Sequence, residues 1–142
     1  MGARHFTDLE VWKLADELDT EITRIVRGLP PQETMRLGDQ MIRAVRSIPA
    51  NIAEGFRHRG LKAKANFYTI SEGSCAELEN HLLVCAKYKY CDDILPCMQK
   101  LNRLQRMLHR LIQRTLEGDF RTRPLPEPPK PPRRPRPKPP QP

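Results

Sequence analysis

The sequence predicts an all-α protein, an antiparallel up-down-up-down four-helix bundle with a disordered, basic, proline-rich C-terminal tail. Three observations support this prediction. Apolar residues recur at intervals of three and four over four stretches of about twenty residues or more, which is the spacing of one buried helix face. Glycine and proline stand in or near the short links between these stretches. From Pro124 onward, proline recurs at nearly every second position and the apolar period disappears.

The first predicted helix covers residues 7–27 and stops at Gly28. Thr7 is followed three residues later by Glu10, a spacing typical of a capping box at a helix start. Its inward residues repeat at four and three, as in the buried seam of a bundle. They are Val11, Ala15, Leu18, Ile22 and Ile25.

The second predicted helix covers residues 31–54, with Gly55 as its C-terminal cap. Pro49 lies inside this stretch and lacks the N–H that would bond the carbonyl of Val45. We therefore expect a kink near this proline. The alternative is two helices broken at Ser47.

The third and fourth predicted helices cover residues 62–88 and 93–116. Gly73 costs the third helix ~1 kcal/mol of helix propensity relative to Ala, and close approach of a neighbouring helix would compensate for that cost. Asp92 is the expected N-cap of the fourth helix. The inward line of the third helix is Phe67, Ile70, Ser74, Leu78, Leu82 and Cys85, and that of the fourth is Cys97, Leu101, Leu104, Leu108 and Leu111.

Charge is distributed unevenly between two predicted units, a bundle domain over residues 1–120 and a tail over residues 121–142. The chain has 142 residues and a net charge of +8. The tail contains seven Lys or Arg residues and one Glu, so it carries +6 of that charge and the bundle only +2. A polyanion is a natural partner of such a tail, and the alternative is a tail that only keeps the protein in solution.

The sequence predicts neither a membrane protein nor a metal-binding protein. No segment approaches the ~20 consecutive apolar residues that a membrane span needs, and the N-terminus lacks the apolar region of a signal peptide. We therefore expect a cytoplasmic protein without membrane contact. The four cysteines contain no C-x-x-C pair, so we expect reduced, buried thiols rather than zinc ligands or disulfides. They are Cys75, Cys85, Cys91 and Cys97.

Catalytic patterns are also missing. A di-iron site in a four-helix bundle needs Glu-x-x-His on two helices. Here Arg57 follows Glu54, and Asn80 follows Glu77, at the position that histidine would occupy. No histidine accompanies a nucleophile elbow, and the glycines never cluster into a phosphate loop. We therefore expect no enzymatic activity, no cofactor and no metal.

The fourth predicted helix carries a row of arginines without an interleaved acid. Their spacing of three, four and four places them on one line, roughly opposite the leucines, over ~16 Å of helix. Arginine stays charged and binds phosphate with a planar fork, so a nucleic acid is the expected ligand, and a solvated helix face is the alternative. This arginine line consists of Arg103, Arg106, Arg110 and Arg114.

Two further basic segments are candidates for the same ligand. The link between the second and third helices contains Arg57, Arg59, Lys62 and Lys64. The tail contributes Arg133, Arg134 and Arg136. The tail also matches P-x-x-P at residues 132–135, a pattern that resembles the ligands of peptide-binding domains with an aromatic groove.

A stripe of short polar residues runs beside the apolar face of the second helix and predicts a packed polar seam. It consists of Gln40, Arg43, Ser47, Asn51 and Glu54. We expect Arg43 to pair with Glu72 or Glu77 of the third helix, as a structural contact rather than a ligand contact. Ser47 and Asn51 are expected to bond backbone groups that Pro49 leaves free.

The same region carries a family resemblance. The segment 47–55, SIPANIAEG, is accompanied in order by DLEVW at residues 8–12, Leu29-Pro30, Gly73-Ser74 and Glu77-Leu78-Glu79. Over residues 6–117 the chain thereby resembles the four-helix-bundle proteins encoded in intervening sequences of large-subunit (23S) ribosomal RNA. Accessory variability determinant (Avd) proteins of diversity-generating retroelements, which partner a reverse transcriptase and its RNA, share that fold. The resemblance implies a non-enzymatic, pentameric helical bundle.

Two functions follow from these observations. The first is a homo-oligomeric accessory protein that binds nucleic acid, with RNA favoured, and that assists a reverse transcriptase as the retroelement relatives do. The second is a protein–protein scaffold ring without direct nucleic-acid contact. Binding to structured RNA separates the two.

Overall fold

The computed structural model describes residues 2–118, and the four predicted helices are present. A short 3-10 turn, Phe6–Asp8, precedes the first helix. The helices are α1 (Glu10–Arg27), α2 (Asp39–Arg57), α3 (Leu61–Lys87) and α4 (Leu95–Glu117). The described residues contain no strand, so the all-α prediction is confirmed. The predicted tail, residues 121–142, lies outside the described residues.

Each helix packs against two others, α1 and α3 both lying between α2 and α4. The order of contacts shows that α1 and α4 run in opposite directions. Glu21, late in α1, bonds Lys100 near the start of α4, whereas Val11 lies beside Leu111 near the end of α4. Apolar residues at three- and four-residue spacing fill the space between the helices. The largest fully buried side chains include Leu18, Ile22, Met41, Ile48, Ile52, Leu78, Leu82, Leu101, Leu104 and Leu108.

The start of α1 differs from the capping box predicted for Thr7 and Glu10. A capping box forms two residues earlier instead, around the 3-10 turn. Asp8 Oδ2 accepts the backbone N–H of His5 at 3.0 Å, and His5 Nδ1 accepts the N–H of Thr7 at 3.4 Å. Hydrogen bonds from the backbone N–H groups of His5 and Arg4 hold the pKa of Asp8 below its usual value. The predicted box of Thr7 and Glu10 is therefore wrong, and a box with the same three-residue spacing caps the short turn at Phe6–Asp8.

The second helix is continuous through Pro49, so the alternative of a break at Ser47 is wrong. The segment that leads into this helix is irregular. A single α-turn, Pro31–Glu33, leads into a π-helical turn, Thr34–Gly38, before α2 begins. The helix then runs to Arg57, beyond the predicted end.

Close helix packing is found at two glycines, and neither is Gly73. A Cβ added at Gly55 would lie 2.7 Å from Cε1 of Tyr68, and one added at Gly38 would lie 2.9 Å from Cγ1 of Val26. Gly55 is therefore a packing residue inside α2 and not its cap. A Cβ at Gly73 would meet nothing within 4 Å in the described residues, so the expected close approach there is wrong.

The inward line of α3 was predicted correctly only in its second half. Ile70 is 51% exposed, whereas Tyr68 and Ser71 are buried. The core tolerates Ser71 because its hydroxyl donates to the carbonyl of Ile48 at 2.9 Å. At the start of α4, the N–H of Leu95 is bonded by the Asp93 carboxylate and not by Asp92.

Three of the four cysteines, Cys75, Cys85 and Cys97, are buried, and Cys91 is partly exposed. All four are free thiols. Burial raises the pKa of Cys75 and of Cys97 to about 12, and that of Cys85 to about 11. The buried thiols therefore act as small apolar residues. Within residues 2–118, no helix is both long enough and apolar enough to cross a membrane.

We expect iodoacetamide at pH 8 to add one group per folded chain, at Cys91. The buried thiols hold their protons at that pH and are shielded by the bundle, and alkylation needs an accessible thiolate. Intact-mass spectrometry gives the number of adducts, and peptide mapping gives their positions. Denatured protein, as the control, should take up four groups. Rapid addition of two or more groups to the folded chain would contradict the burial described here.

Candidate nucleic-acid interface

All four side chains of the arginine line are exposed on α4. The helix places them there because Leu101, Leu104 and Leu108 occupy the opposite, fully buried face. Within residues 2–118, no carboxylate lies within 4 Å of any arginine of the line. Four guanidinium groups are thus presented in a row with their charge uncompensated by a direct ion pair.

The start of α4 faces two acidic residues of α1, and the lysine of α4 at this position is neutralised by them. Lys100 bonds Glu21 and lies 3.7 Å from Glu17. Burial raises the pKa of Glu21, but hydrogen bonds from Lys100 and Cys97 and the charge of Lys100 outweigh it, so that pKa lies below its usual value. The hydrogen bond to Glu21 raises the pKa of Lys100. Lys100 is therefore a structural cation and does not extend the line.

Arg110 and Arg114 also border a groove of about 330 Å³ between the start of α1 and the end of α4. Its other lining residues are Leu9, Glu10, Val11, Met107 and Leu111. Glu10 is the acid of this groove, and it pairs with Lys13 at 3.4 Å. The two arginines therefore lie over a largely apolar floor.

The basic link between α2 and α3 divides into two parts. Lys64 donates to the carbonyls of Gly55 at 3.2 Å and Phe56 at 2.6 Å, and so caps the C-terminal end of α2. Desolvation by burial lowers its pKa. Arg57 lies 5.8 Å from the ring centre of Phe6 and remains exposed. Arg59 and Lys62 are exposed as well. Lys64 is thus used internally, and the other three cations face solvent.

The structure brings this link and the arginine line to the same end of the bundle. A Cβ added at Gly118, just after α4, would lie 3.6 Å from Cδ1 of Leu61 at the start of α3. The end of α4 that carries Arg110 and Arg114 therefore lies beside the start of α3, directly after Arg57 and Arg59 in the chain. The predicted contacts at Arg133, Arg134 and Arg136 lie outside the described residues.

The centre of the predicted polar seam lies between α2 and α3. The Ser74 hydroxyl donates to Oγ of Ser47 at 2.9 Å. The Asn51 amide donates to the same oxygen at 3.0 Å and to the Ser47 carbonyl at 2.8 Å. Asn51 thus bonds the carbonyl of Ser47 and not that of Val45, which Pro49 was expected to leave free. The sequence did not predict the burial of Ser71, whose hydroxyl donates to the carbonyl of Ile48, because a serine gives no apolar signal.

The ends of the seam do not pack as expected. Arg43, Glu54 and Glu77 are exposed, and Arg43 pairs with neither Glu72 nor Glu77. Glu77 lies 3.4 Å from Nε2 of the buried His81 one turn along α3, and Glu72 lies 3.7 Å from Nδ1 of His109 on α4. Each acid lies beside a histidine instead, so the predicted ion pair with Arg43 does not form.

A second basic groove escaped the sequence analysis. Arg24 and Arg27 of α1 meet Arg46 of α2 along one shallow cleft. The spacing of the first two was visible in the sequence, but their meeting with Arg46 depends on how the two helices pack. Within the described part of the chain, no three His, Cys, Asp or Glu residues are grouped as metal ligands would be.

Comparison with known proteins adds one finding to this geometry. No curated protein matches the chain. The model of one family, described as 23S rRNA-intervening sequence protein, matches residues 7–110, which cover α1 to α3 and most of α4. Because this match covers well over half of the 142 residues, the chain belongs to the 23S rRNA-intervening sequence protein family.

Proposed function

We propose that the protein is a non-enzymatic, homo-oligomeric accessory protein that binds RNA through the arginine line. One observation carries the proposal: four exposed arginines form a row along α4, and no carboxylate of residues 2–118 lies within 4 Å of them. A solvated helix face typically interleaves acidic with basic residues, and this row contains none. Phosphate oxygens are the partners that a planar guanidinium fork fits.

The link between α2 and α3 adds to the same interface. Arg57, Arg59 and Lys62 lie at the end of the bundle where the arginine line ends, so one strand of RNA can contact both. Binding of this kind reads the backbone, so we expect little sequence preference and a steep dependence on salt. The basic residues of the tail strengthen the same attraction.

RNA is favoured over DNA because the family is described by a ribosomal RNA. The proposal includes a cytoplasmic location, because ribosomal RNA is present there. A reverse transcriptase is proposed as a protein partner only through the resemblance to the retroelement accessory proteins.

The outer side of α3 supports association of copies of the chain. Ile70 is 51% exposed, Gly73 has open space above it, and Tyr88 is 56% exposed. Tyr88 directly follows the last residue of α3 and stands 18 residues, or five helical turns, after Ile70, so the two lie on the same side of the helix. A pentamer follows from the family resemblance, and a ring would repeat the arginine line around its rim.

Binding to structured RNA at two salt concentrations tests the proposal, using the full chain and a chain that ends at residue 120. We expect both to bind at low salt and to lose affinity steeply as salt rises. Binding that disappears with residues 121–142 would transfer the function from α4 to the tail. No binding by either chain at low salt would overturn the proposal.

A scaffold ring is the second candidate, favoured by the exposed line of α3. We expect Ile70→Glu to lower the oligomer mass measured by light scattering, because it places a charge on that line. Leu83→Glu is the matched control: Leu83 is 52% exposed on the same helix but lies well away from the line. Equal masses for both variants and the parent chain would remove the outer side of α3 as the contact. A chain that is monomeric throughout would end the scaffold candidate.

A further inference from the structure

The α1–α2 groove is a second concentration of positive charge, separate from the arginine line. It lies between the second half of α1 and the middle of α2 and has a volume of about 340 Å³. Its lining residues are Asp19, Thr20, Thr23, Arg24, Arg27 and Arg46. Three guanidinium groups therefore face one carboxylate, and two threonine hydroxyls stand among them.

The single acid of the groove serves to position one arginine. Asp19 Oδ1 accepts a hydrogen bond from Nε of Arg46 at 3.5 Å and from the Thr23 hydroxyl at 3.2 Å. Arg24 and Arg27 are exposed, and within residues 2–118 no carboxylate lies within 4 Å of either. The groove thus presents two arginines without a direct ion pair in the described part of the chain, beside a third that contacts Asp19.

Stabilisation of α1 alone does not explain the positions of the three arginines. Arginines near the C-terminal end of a helix interact favourably with its dipole, which explains Arg24 and Arg27 in part. Arg46 lies in the interior of α2, far from either end of that helix, and still faces the same cleft. Guanidinium groups that converge from two helices suit a phosphate group, which accepts charge-assisted hydrogen bonds from several arginines.

We propose that the α1–α2 groove binds phosphate groups and is a second RNA-contacting surface of the bundle. This inference rests on the proposed function, and it adds a second RNA contact away from α4. Arg24 is close enough to Glu21 for its charge to lower the pKa of that acid, and Glu21 bonds Lys100 of α4. The groove therefore adjoins the α4 side of α1.

The test compares RNA binding by the full chain and by Arg24→Gln/Arg27→Gln across a series of salt concentrations. Loss of two phosphate contacts to single-stranded RNA should reduce the slope of log K against log salt by about 1.4, which is about 25-fold in affinity at 0.1 M salt. Arg36→Gln/Lys87→Gln is the matched control, since it removes the same charge from exposed positions outside the groove. Circular dichroism confirms that the exposed substitutions leave the helices intact.

The outcomes separate this inference from the proposed function. An RNA affinity that falls equally in both double variants would overturn the groove as an RNA contact while leaving the arginine line untouched. A second arm titrates the full chain with inorganic tripolyphosphate. Binding that Arg24→Gln/Arg27→Gln abolishes, without an effect on RNA, would assign the groove to a free phosphate compound. No effect on RNA and no tripolyphosphate binding would refute the phosphate site altogether.

Discussion

Replacement of all four residues of the arginine line by Gln is expected to weaken RNA binding about 600-fold at 0.1 M salt. Each arginine that contacts a phosphate of single-stranded RNA releases about 0.7 of a counterion, so four lost contacts reduce the slope of log K against log salt by about 2.8. The side chains are exposed, and within residues 2–118 no acid lies within 4 Å of them, so the helices should be unaffected. Fluorescence anisotropy with labelled RNA measures both quantities.

A second quadruple variant controls for overall charge. It replaces exposed basic residues away from the arginine line and loses the same four charges. The residues are Arg36, Arg43, Lys87 and Lys89, each changed to Gln. We expect its salt slope to change by less than one. If both variants lose affinity equally, attraction is a property of net charge, and the row on α4 has no special part in it.

Gly55→Ala is expected to lower the free energy of unfolding by about 1–2 kcal/mol. The added Cβ would stand 2.7 Å from Cε1 of Tyr68, whose side chain is 3% exposed and has little room to move. Overpacking of this kind costs ~1–3 kcal/mol, and the better helix propensity of alanine returns up to ~1 kcal/mol of that. Urea unfolding followed by circular dichroism gives the change.

Gly73→Ala is the matched control for that measurement, because it makes the same change in an open helical position. It should raise the free energy of unfolding by up to ~1 kcal/mol through helix propensity alone. The two alanine variants are thus expected to shift in opposite directions. The measurement uses a protein concentration at which copies do not associate. A Gly55→Ala chain as stable as Gly73→Ala would show that α2 and α3 are packed less closely than described.

Much of the fold could be predicted because three of the helices bury strongly apolar residues at regular spacing. Leu18, Ile48 and Leu104 are fully buried where the three- and four-residue periods place them. On α3 the spacing of apolar residues did not predict burial correctly. Ile70 is exposed and Ser71 is buried, the reverse of what isoleucine and serine usually prefer. Burial of Ser71 depends on the Ile48 carbonyl, which only the packed bundle brings within 2.9 Å.

The candidate site was predictable as a helix face but not as a set of contacts. A spacing of three and four is a local property, so the exposure of Arg106 and its neighbours on α4 follows from the sequence. The choice of ion-pair partners is not local. Arg43 was expected to pair with Glu72 or Glu77, whereas Glu72 lies beside His109 of α4. The meeting of Arg24 with Arg46 likewise depends on the packing of two helices.

The π-helical turn at Thr34–Gly38 bears on how the chain can tolerate changes of length. Inserting or deleting one residue in a regular α-helix rotates everything beyond it by ~100° and would turn the buried face of α2 outward. A π-helical turn already holds a surplus residue. Removal of one residue there lets the turn tighten to α-helical geometry while Met41, Val45 and Ile48 keep their orientation. Among homologues, single-residue gaps within the bundle are therefore expected to concentrate at this turn.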